Sequence, residues 1–324
     1  MNSALDFSFD EEQRAVAEAL ERFCARHAVE ELARQSNQPF PRELWRALCA
    51  LGVFASGAPS QEAGGVLSLC AICETLGHNV FPGPVADSFL AVAVLPAPEA
   101  AAVIDGSALV AVNRSHSGLL PWGLEADIFL AIDANGISRA KPASSMLPVQ
   151  TLGGETWGRC ELTTTALLEN SPRGLLVGNI ATAAYLAALA LRLIFAASDH
   201  AALRRQFGRT LGEFQAVAHP LADCAIGATA ARHLARAAAC HADQQAADAE
   251  ATRLAAGAAL SANRAALAAV YTCHQVFAAI GVTLDGPVFH LSRRIRQLAS
   301  QSCTEVREQN LLLAHAGLAP KVTA

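Results

Sequence analysis

The run Arg204-Arg205-Gln206-Phe207-Gly208, followed by Leu211, Phe214 and Gln215, concentrates side chains that can hold an anion. An Arg near the end of one helix, a Gly that stops it and a Gln on the next helix form a donor cluster suited to a group such as a pyrophosphate. Residue types alone leave a second option open, a helix–helix turn carrying a solvated arginine pair, and such pairs are the commoner case. Cys70-Ala-Ile-Cys73 with His78 has half the spacing of a zinc site. No second CxxC or His pair completes it, and its apolar setting (Val66, Leu67, Leu69, Ile72, Leu76) points to buried thiols on a helix. A GxSxG elbow, a GxxxxGK[ST] loop and a GxGxxG after a strand are all missing from the sequence, which argues against a serine hydrolase, a P-loop enzyme and a Rossmann dehydrogenase.

These residues need a scaffold. The chain has 324 residues, 52% hydrophobic and 16% charged, with 24 Lys and Arg against 29 Asp and Glu. That composition excludes a disordered regulator, and a net charge of −5 gives no basic footprint for nucleic acid. Nine cysteines and an N-terminus without a basic-then-apolar signal pattern suit a reducing cytoplasm. The most membrane-like stretch, 174–198, is interrupted by Asn179 and Arg192 and is rich in alanine, so it reads as a buried bundle helix.

The element pattern changes twice. Asp10 before Glu11, Glu12 and Gln13 starts a helix with an apolar stripe of Ala15, Ala19, Phe23 and Ala25. A second helix runs from Glu43 to Leu51 and stops at Gly52, a third from Val66 to Leu76, and another from Ala86 to Val94 after the turn Phe81-Pro82-Gly83-Pro84. Strand-like runs then appear at 108–112, 128–132, 149–152 and 161–165, with a hairpin turn at Asp133-Ala134-Asn135-Gly136, while 95–107 reads as a direct passage. Beyond Pro172, helices are expected at 174–205, 212–241, 246–281 and 287–315. The predicted fold is mainly α with a small β middle: a helical domain over 1–105, a shortened β domain over 106–171 and a C-terminal four-helix bundle over 172–324.

Arg204 to Gln215 resembles the RxxFGxxLxxxQ motif of the acyl-CoA dehydrogenase family. The segment 271–298, with Gln275, Ala278, Ala279 and Gly281, is similar to that family's QxxGGxGxT stretch and the Arg-bearing helix after it. Leu5 to Phe9, Phe40 to Trp45 leading into Leu51-Gly52-Val53, and Glu74 to Gly77 with Pro82-Gly83-Pro84 follow the family's order, so the resemblance spans nearly the whole chain. It implies the acyl-CoA dehydrogenase fold, FAD bound between subunits, an acyl-CoA substrate desaturated at its α,β bond, and electron-transfer flavoprotein as the electron acceptor. It also implies flavin contact by Arg204, Gln206, Phe207, Gln215, Gln275, Ala278, Ala279 and Gly281.

The sequence departs from the family at three places. The two family locations for the glutamate base fall near Ser302 and Gly178, and neither holds a carboxylate; Glu305 and Glu308 lie close to the first and stand in for the base if the register slips, or are solvated beside Arg307. The usual Gly-Gly is Ala278-Ala279, and the middle is too short for the loop that shapes the flavin-ring pocket. The departures resemble those of the base-lacking short subunit in heteromeric dehydrogenases of sterol and bile-acid side chains, and imply a full-length acyl-CoA dehydrogenase partner in a heterotetramer, with self-association as the other option. A self-sufficient enzyme using Glu305 or Glu308 and a cofactor-free scaffold are the alternatives.

Overall fold

Asp10 opens helix α1 (Glu11–Arg26) through reciprocal hydrogen bonds: the Gln13 amide donates to Asp10 Oδ1 at 2.8 Å, and the Asp10 amide donates to Gln13 Oε1 at 3.1 Å. These satisfy donors that a helix start leaves orphaned. The structure is a computed structural model that describes residues 7–35, 39–58, 64–114, 118–151, 154–244, 249–284, 286–299 and 303–318, without the side chains of 303–305. The buried face of α1 is Gln13, Leu20, Phe23 and Cys24. Ala15, Ala19 and Ala25 face outward, because at 100° per residue they fall on the arc opposite Leu20 and Cys24.

The N-terminal part continues with α2 (Val29–Arg34), α3 (Arg42–Cys49), a 3-10 turn (Val53–Gly57), α4 (Gly65–His78), α5 (Val85–Val94) and α6 (Ala97–Ile104). Helix α6 replaces the expected direct passage from 95 to 107, and Pro98 sits in its first turn, where a missing N–H costs nothing. Cys70 and Cys73 are fully buried on α4, and burial pushes both thiols well above the ordinary cysteine range.

The middle part holds two small sheets. Strands β1 (Val110–Asn113), β3 (Ile128–Asp133), β4 (Gly136–Pro142) and β7 (Leu162–Leu167) form one in the order β1-β3-β4-β7, with β1 and β3 parallel. Asp133 pairs with Gly136 across the expected hairpin, and Gly136 takes a φ of 135° there. Strands β2 (Leu119–Leu120), β6 (Thr156–Arg159) and β5 (Leu147–Gln150) form the second sheet; β2 and β6 are too short to show a period in the sequence.

Helices α7 (Ser171–Leu203), α8 (Gln215–Gln244) and α9 (Ala249–Phe277) make the bundle. The expected last helix, 287–315, is two: α10 (Phe289–Ala299) and α11 (Cys303–His315). On α8 the buried residues Leu221, Cys224, Ala228, Ala231, Ala235, Ala238 and Ala242 repeat at spacings of three and four, and Ala251, Ala255, Ala258 and Ala262 do so on α9. Alternating three–four spacing is a coiled-coil seam, and alanine at the seam lets helix axes approach closely. Helix α7 is the central one, packed by α4, α5, α8 and α9. A Cβ on Gly77 would lie 2.3 Å from the Tyr185 carbonyl oxygen, so α4 and α7 touch backbone to backbone.

Among the described residues, two helices, 171–203 and 249–282, are long and apolar enough to cross a membrane by length and composition. In the first, 78% of the apolar window is buried within the protein, against 33% in the second. The stretch 174–198 is therefore a core helix, whereas α9 keeps much of its outer face open.

Candidate functional site

Two regions carry the chemistry, one open and one closed. The open region is the end of the bundle where α7 stops. Arg204 ends the helix, its amide donating to the His200 carbonyl at 2.9 Å. Strands β8 (Arg205–Gln206) and β9 (Arg209–Thr210) then form a two-stranded hairpin. Its tip is Phe207 and Gly208, both left-handed at φ 51° and 82°, as a tight hairpin turn requires. Glu213 caps the next turn by accepting from the Thr210 amide at 2.6 Å, and α8 begins at Gln215.

Helices α8 and α9 are joined through residues 245–248, so the start of α8 and the end of α9 lie at the same end of the bundle as the hairpin. His200 of α7 stacks on Phe277 of α9 with ring centroids 4.3 Å apart, and this contact joins the two motif segments. The structure thus gathers Arg204, Gln206, Phe207, Gln215, Gln275, Ala278, Ala279 and Gly281 at one end of the bundle. All but Gly281 are exposed, Phe207 by 92%. Among the described residues, the side chains of Arg204, Gln215 and Gln275 make no hydrogen bond, while Arg205 donates to the Gly208 carbonyl and Arg209 lies 4.0 Å over the Phe214 ring.

Ala278 has a φ of 51°, the left-handed conformation that a glycine adopts at no cost. The backbone therefore makes a glycine-type turn despite the alanine. Gly281 is buried, and a Cβ there would press to 3.0 Å from Phe277 Cβ and 3.3 Å from His274 Nδ1.

The closed region is an apolar cleft among α5, the second sheet, α7 and α9 to α11, enclosing a cavity of about 80 Å³. Its charged groups are matched within the chain. Arg114 bonds Asp87 through Nε at 3.1 Å and Nη2 at 2.5 Å, with both side chains under a tenth exposed. Arg294 forks onto Glu155, with Nη1 to Oε2 at 3.1 Å, and donates to Gln297 Oε1 at 2.8 Å; Gln297 in turn donates to Glu155. The Tyr185 hydroxyl donates to the Phe81 carbonyl at 2.8 Å, and burial pushes its pKa above the ordinary tyrosine range. Trp122 lines the cleft at a left-handed φ of 58°.

Glu308 also lines the cleft, 1% exposed, with Arg307 Nε donating to its Oε1 at 3.1 Å. It is not a solvated residue of a terminal helix. The Glu305 side chain and Ser302 lie outside the described residues. At Gly178 a Cβ would come 2.9 Å from Leu90 Cδ1, so a larger residue there would displace Leu90.

Sequence reasoning missed the cleft residues Asp87, Arg114, Arg294 and Gln297, and Glu155 that pairs with Arg294 behind them. The available signal was Asp87, a lone charge in the apolar run 85–94, because a charge in a buried helix needs a partner.

Comparison with known proteins agrees with this architecture. The N-terminal domain model of acyl-CoA dehydrogenases matches residues 10–94 and their C-terminal domain model matches 171–301. Acyl-CoA dehydrogenase IpdE2 of Mycobacterium tuberculosis is 32% identical over 269 residues, 78% of this chain and 82% of that protein. Acyl-CoA dehydrogenase FadE34 of the same organism is 28% identical over 283 residues, 78% of this chain but 39% of FadE34. The fold is similar to that in the ChsE4–ChsE5 complex of M. tuberculosis, with a TM-score of 0.72 at 22% identity over 97% of this chain and 98% of that one. The protein has a helical, β, helical dehydrogenase architecture. The chain belongs to the acyl-CoA dehydrogenase family, oxidoreductases acting on CH–CH donors.

Proposed function

We propose that this chain is the subunit without the catalytic base in a heteromeric, FAD-linked acyl-CoA dehydrogenase that desaturates the α,β bond of an acyl-CoA thioester. The observation that supports this reading is the split between the two regions. The side chains of Arg204, Gln215 and Gln275 are exposed and make no hydrogen bond at the bundle end, while the charged groups of the interior cleft are paired within the chain.

The residues at the open end fit a flavin nucleotide in their donor chemistry. Arg204 would pair with its pyrophosphate, and Gln215 and Gln275 would donate to its polar groups. The left-handed turn at Ala278 shapes the backbone beside that surface, and the bare Gly281 lets the chain pack against Phe277 and His274 beneath it. Bound there, FAD would accept the hydride lost from the β-carbon. The α-proton would pass to a carboxylate of the full-length acyl-CoA dehydrogenase partner, and electrons would leave to an electron-transfer flavoprotein. The exposed apolar side chains Phe195, Leu203, Phe207, Ile226 and Tyr271 supply a surface for that partner. On this reading the chain works in the cytoplasm, its modules divide at 1–105, 106–171 and 172–324, and a sterol-type acyl group is the substrate class.

The test is to purify the chain alone and together with a full-length acyl-CoA dehydrogenase chain that copurifies with it. The expected result is a colourless chain and a yellow, active assembly whose flavin content falls about tenfold or more with Arg204→Ala, the worth of one charge-assisted hydrogen bond. A chain that is yellow and active by itself overturns the heteromer. Equal flavin content with Arg204→Ala would favour the scaffold role.

One observation favours a second reading, in which Glu308 is the base: its carboxylate is buried against the cleft. That reading requires Glu308→Gln to cut turnover by about 10²-fold or more while flavin stays bound. The leading reading expects a change of less than about twofold.

A further inference from the structure

Two histidines flank the motif residues at the open end, and neither belongs to the motifs. His200 occupies the last turn of α7, four residues before Arg204, with its ring stacked on Phe277. His274 precedes Gln275, and its Nδ1 is buried with no hydrogen-bond partner, turned toward the bare α-carbon of Gly281. Phe277 touches both surroundings, through the His200 stack and through its Cβ beside Gly281. The histidines therefore belong to the same packed unit as the two motif segments.

We propose that His200 and His274 form a proton-coupled part of the anion seat, taking up a proton as a phosphate-bearing ligand settles beside Arg204. This rests on the reading of the bundle end as the flavin-nucleotide surface. It adds residues that the motifs do not contain.

The electrostatics run one way. Burial and then the Arg204 guanidinium hold His200 below the ordinary imidazole range; burial and then Arg296, on α10, do the same for His274. The other charged groups near the hairpin are occupied: Arg205 bonds the Gly208 carbonyl, Arg209 stacks on Phe214, and Glu213 caps Thr210. Among the described residues, no carboxylate is set against either ring. A phosphate arriving at Arg204 offsets the cationic field around the two rings, so each imidazole becomes easier to protonate; the buried Nδ1 of His274 feels that charge through space and not through a hydrogen bond. The sign follows by linkage: the complex binds more protons than its components, and affinity falls as pH rises, by up to about tenfold per pH unit for each proton taken up.

ADP, which carries a pyrophosphate and needs no partner to be soluble, is the probe. Titration calorimetry of the full chain with ADP at pH 6, in two buffers of different ionisation enthalpy, reads the protons taken up directly. The expected result is net uptake in the natural protein and weaker binding at pH 8. His200→Phe, which keeps a ring on Phe277, and His274→Gln should each bind ADP with less uptake and a flatter pH profile. ADP binding that depends on Arg204 but shows no buffer dependence, or the same uptake in both variants, overturns the histidine proposal and leaves the flavin-surface reading standing. Binding indifferent to Arg204→Ala overturns both. No ADP binding by the chain from pH 5.5 to 8 overturns the histidine proposal alone, since flavin content of the copurified assembly tests the surface separately.

Discussion

The closed cleft and the open bundle end treat arginine in opposite ways. In the cleft, Arg294 is locked onto the largely buried Glu155 and Arg114 onto the buried Asp87, so their charge is used for holding the bend before β6 to α10 and the end of β1 to α5. At the bundle end, Arg204 keeps its donors unengaged and exposed. A buried guanidinium must be matched inside the chain, because leaving it alone in a low-dielectric interior is far too costly, whereas an exposed one can wait for a ligand at no such penalty. The contrast separates groups that hold the fold from groups that are free to bind.

The contrast can be broken by mutation. Arg294→Ala leaves the largely buried Glu155 with Gln297 but without its cation and should cost about 3 kcal/mol in chemical denaturation. A loss below about 1 kcal/mol would mean that the cleft does not depend on this pair. The same truncation at Arg204 should change stability by less than about 0.5 kcal/mol while removing bound flavin from the assembly.

A second contrast concerns protons. His290 is buried on α10, and burial, then Arg34, Arg192 and Arg293, bring its pKa from 6.5 down to about 4, against a smaller upward pull from Glu30. The unfolded chain therefore binds a proton between pH 6.5 and pH 4 that the folded chain refuses. Stability from this group is complete above pH 6.5 and lost as pH falls toward 4, by about 3 kcal/mol in all. Urea midpoints measured across that window should fall with acidification, and His290→Leu should flatten the curve. Acid would thus weaken the interior while strengthening anion binding at the bundle end.

The smallest expected effect sharpens the comparison at the open end. Ala278→Gly relieves a left-handed alanine and should raise stability by about 1 kcal/mol, read as a rise in thermal midpoint. No gain would show that the turn is held by its neighbours at no strain.

Much of the fold was legible in the sequence because its signals are local. The Asp10 to Gln13 cap, the Asp133 to Gly136 turn and the long helical periods of α7, α8 and α9 each follow from residues within a few positions of one another. Helix α6 and strands β2 and β6 were not legible, since a run of two to eight residues contains too few periods to register. The stripe on α1 was misread because small alanines were given the weight of large apolar side chains. For the site, the motif spacing pointed to segments that the fold brings to one end of the bundle, but whether Glu308 faced water or the cleft depended on the packing of α11 against α9, which no local pattern encodes.

The sequence by itself determined the order of helical, β and helical parts and the family to which they belong, since both rest on side-chain period and on motif spacing along the chain. Only the tertiary structure decided which arginines are consumed and which stand ready. Arg204, at the end of α7, and Arg294, on α10, are the same residue type in the C-terminal helical part. What separates them is the Glu155 carboxylate in the bend before β6, 139 positions away in the chain, that reaches Arg294 and not Arg204.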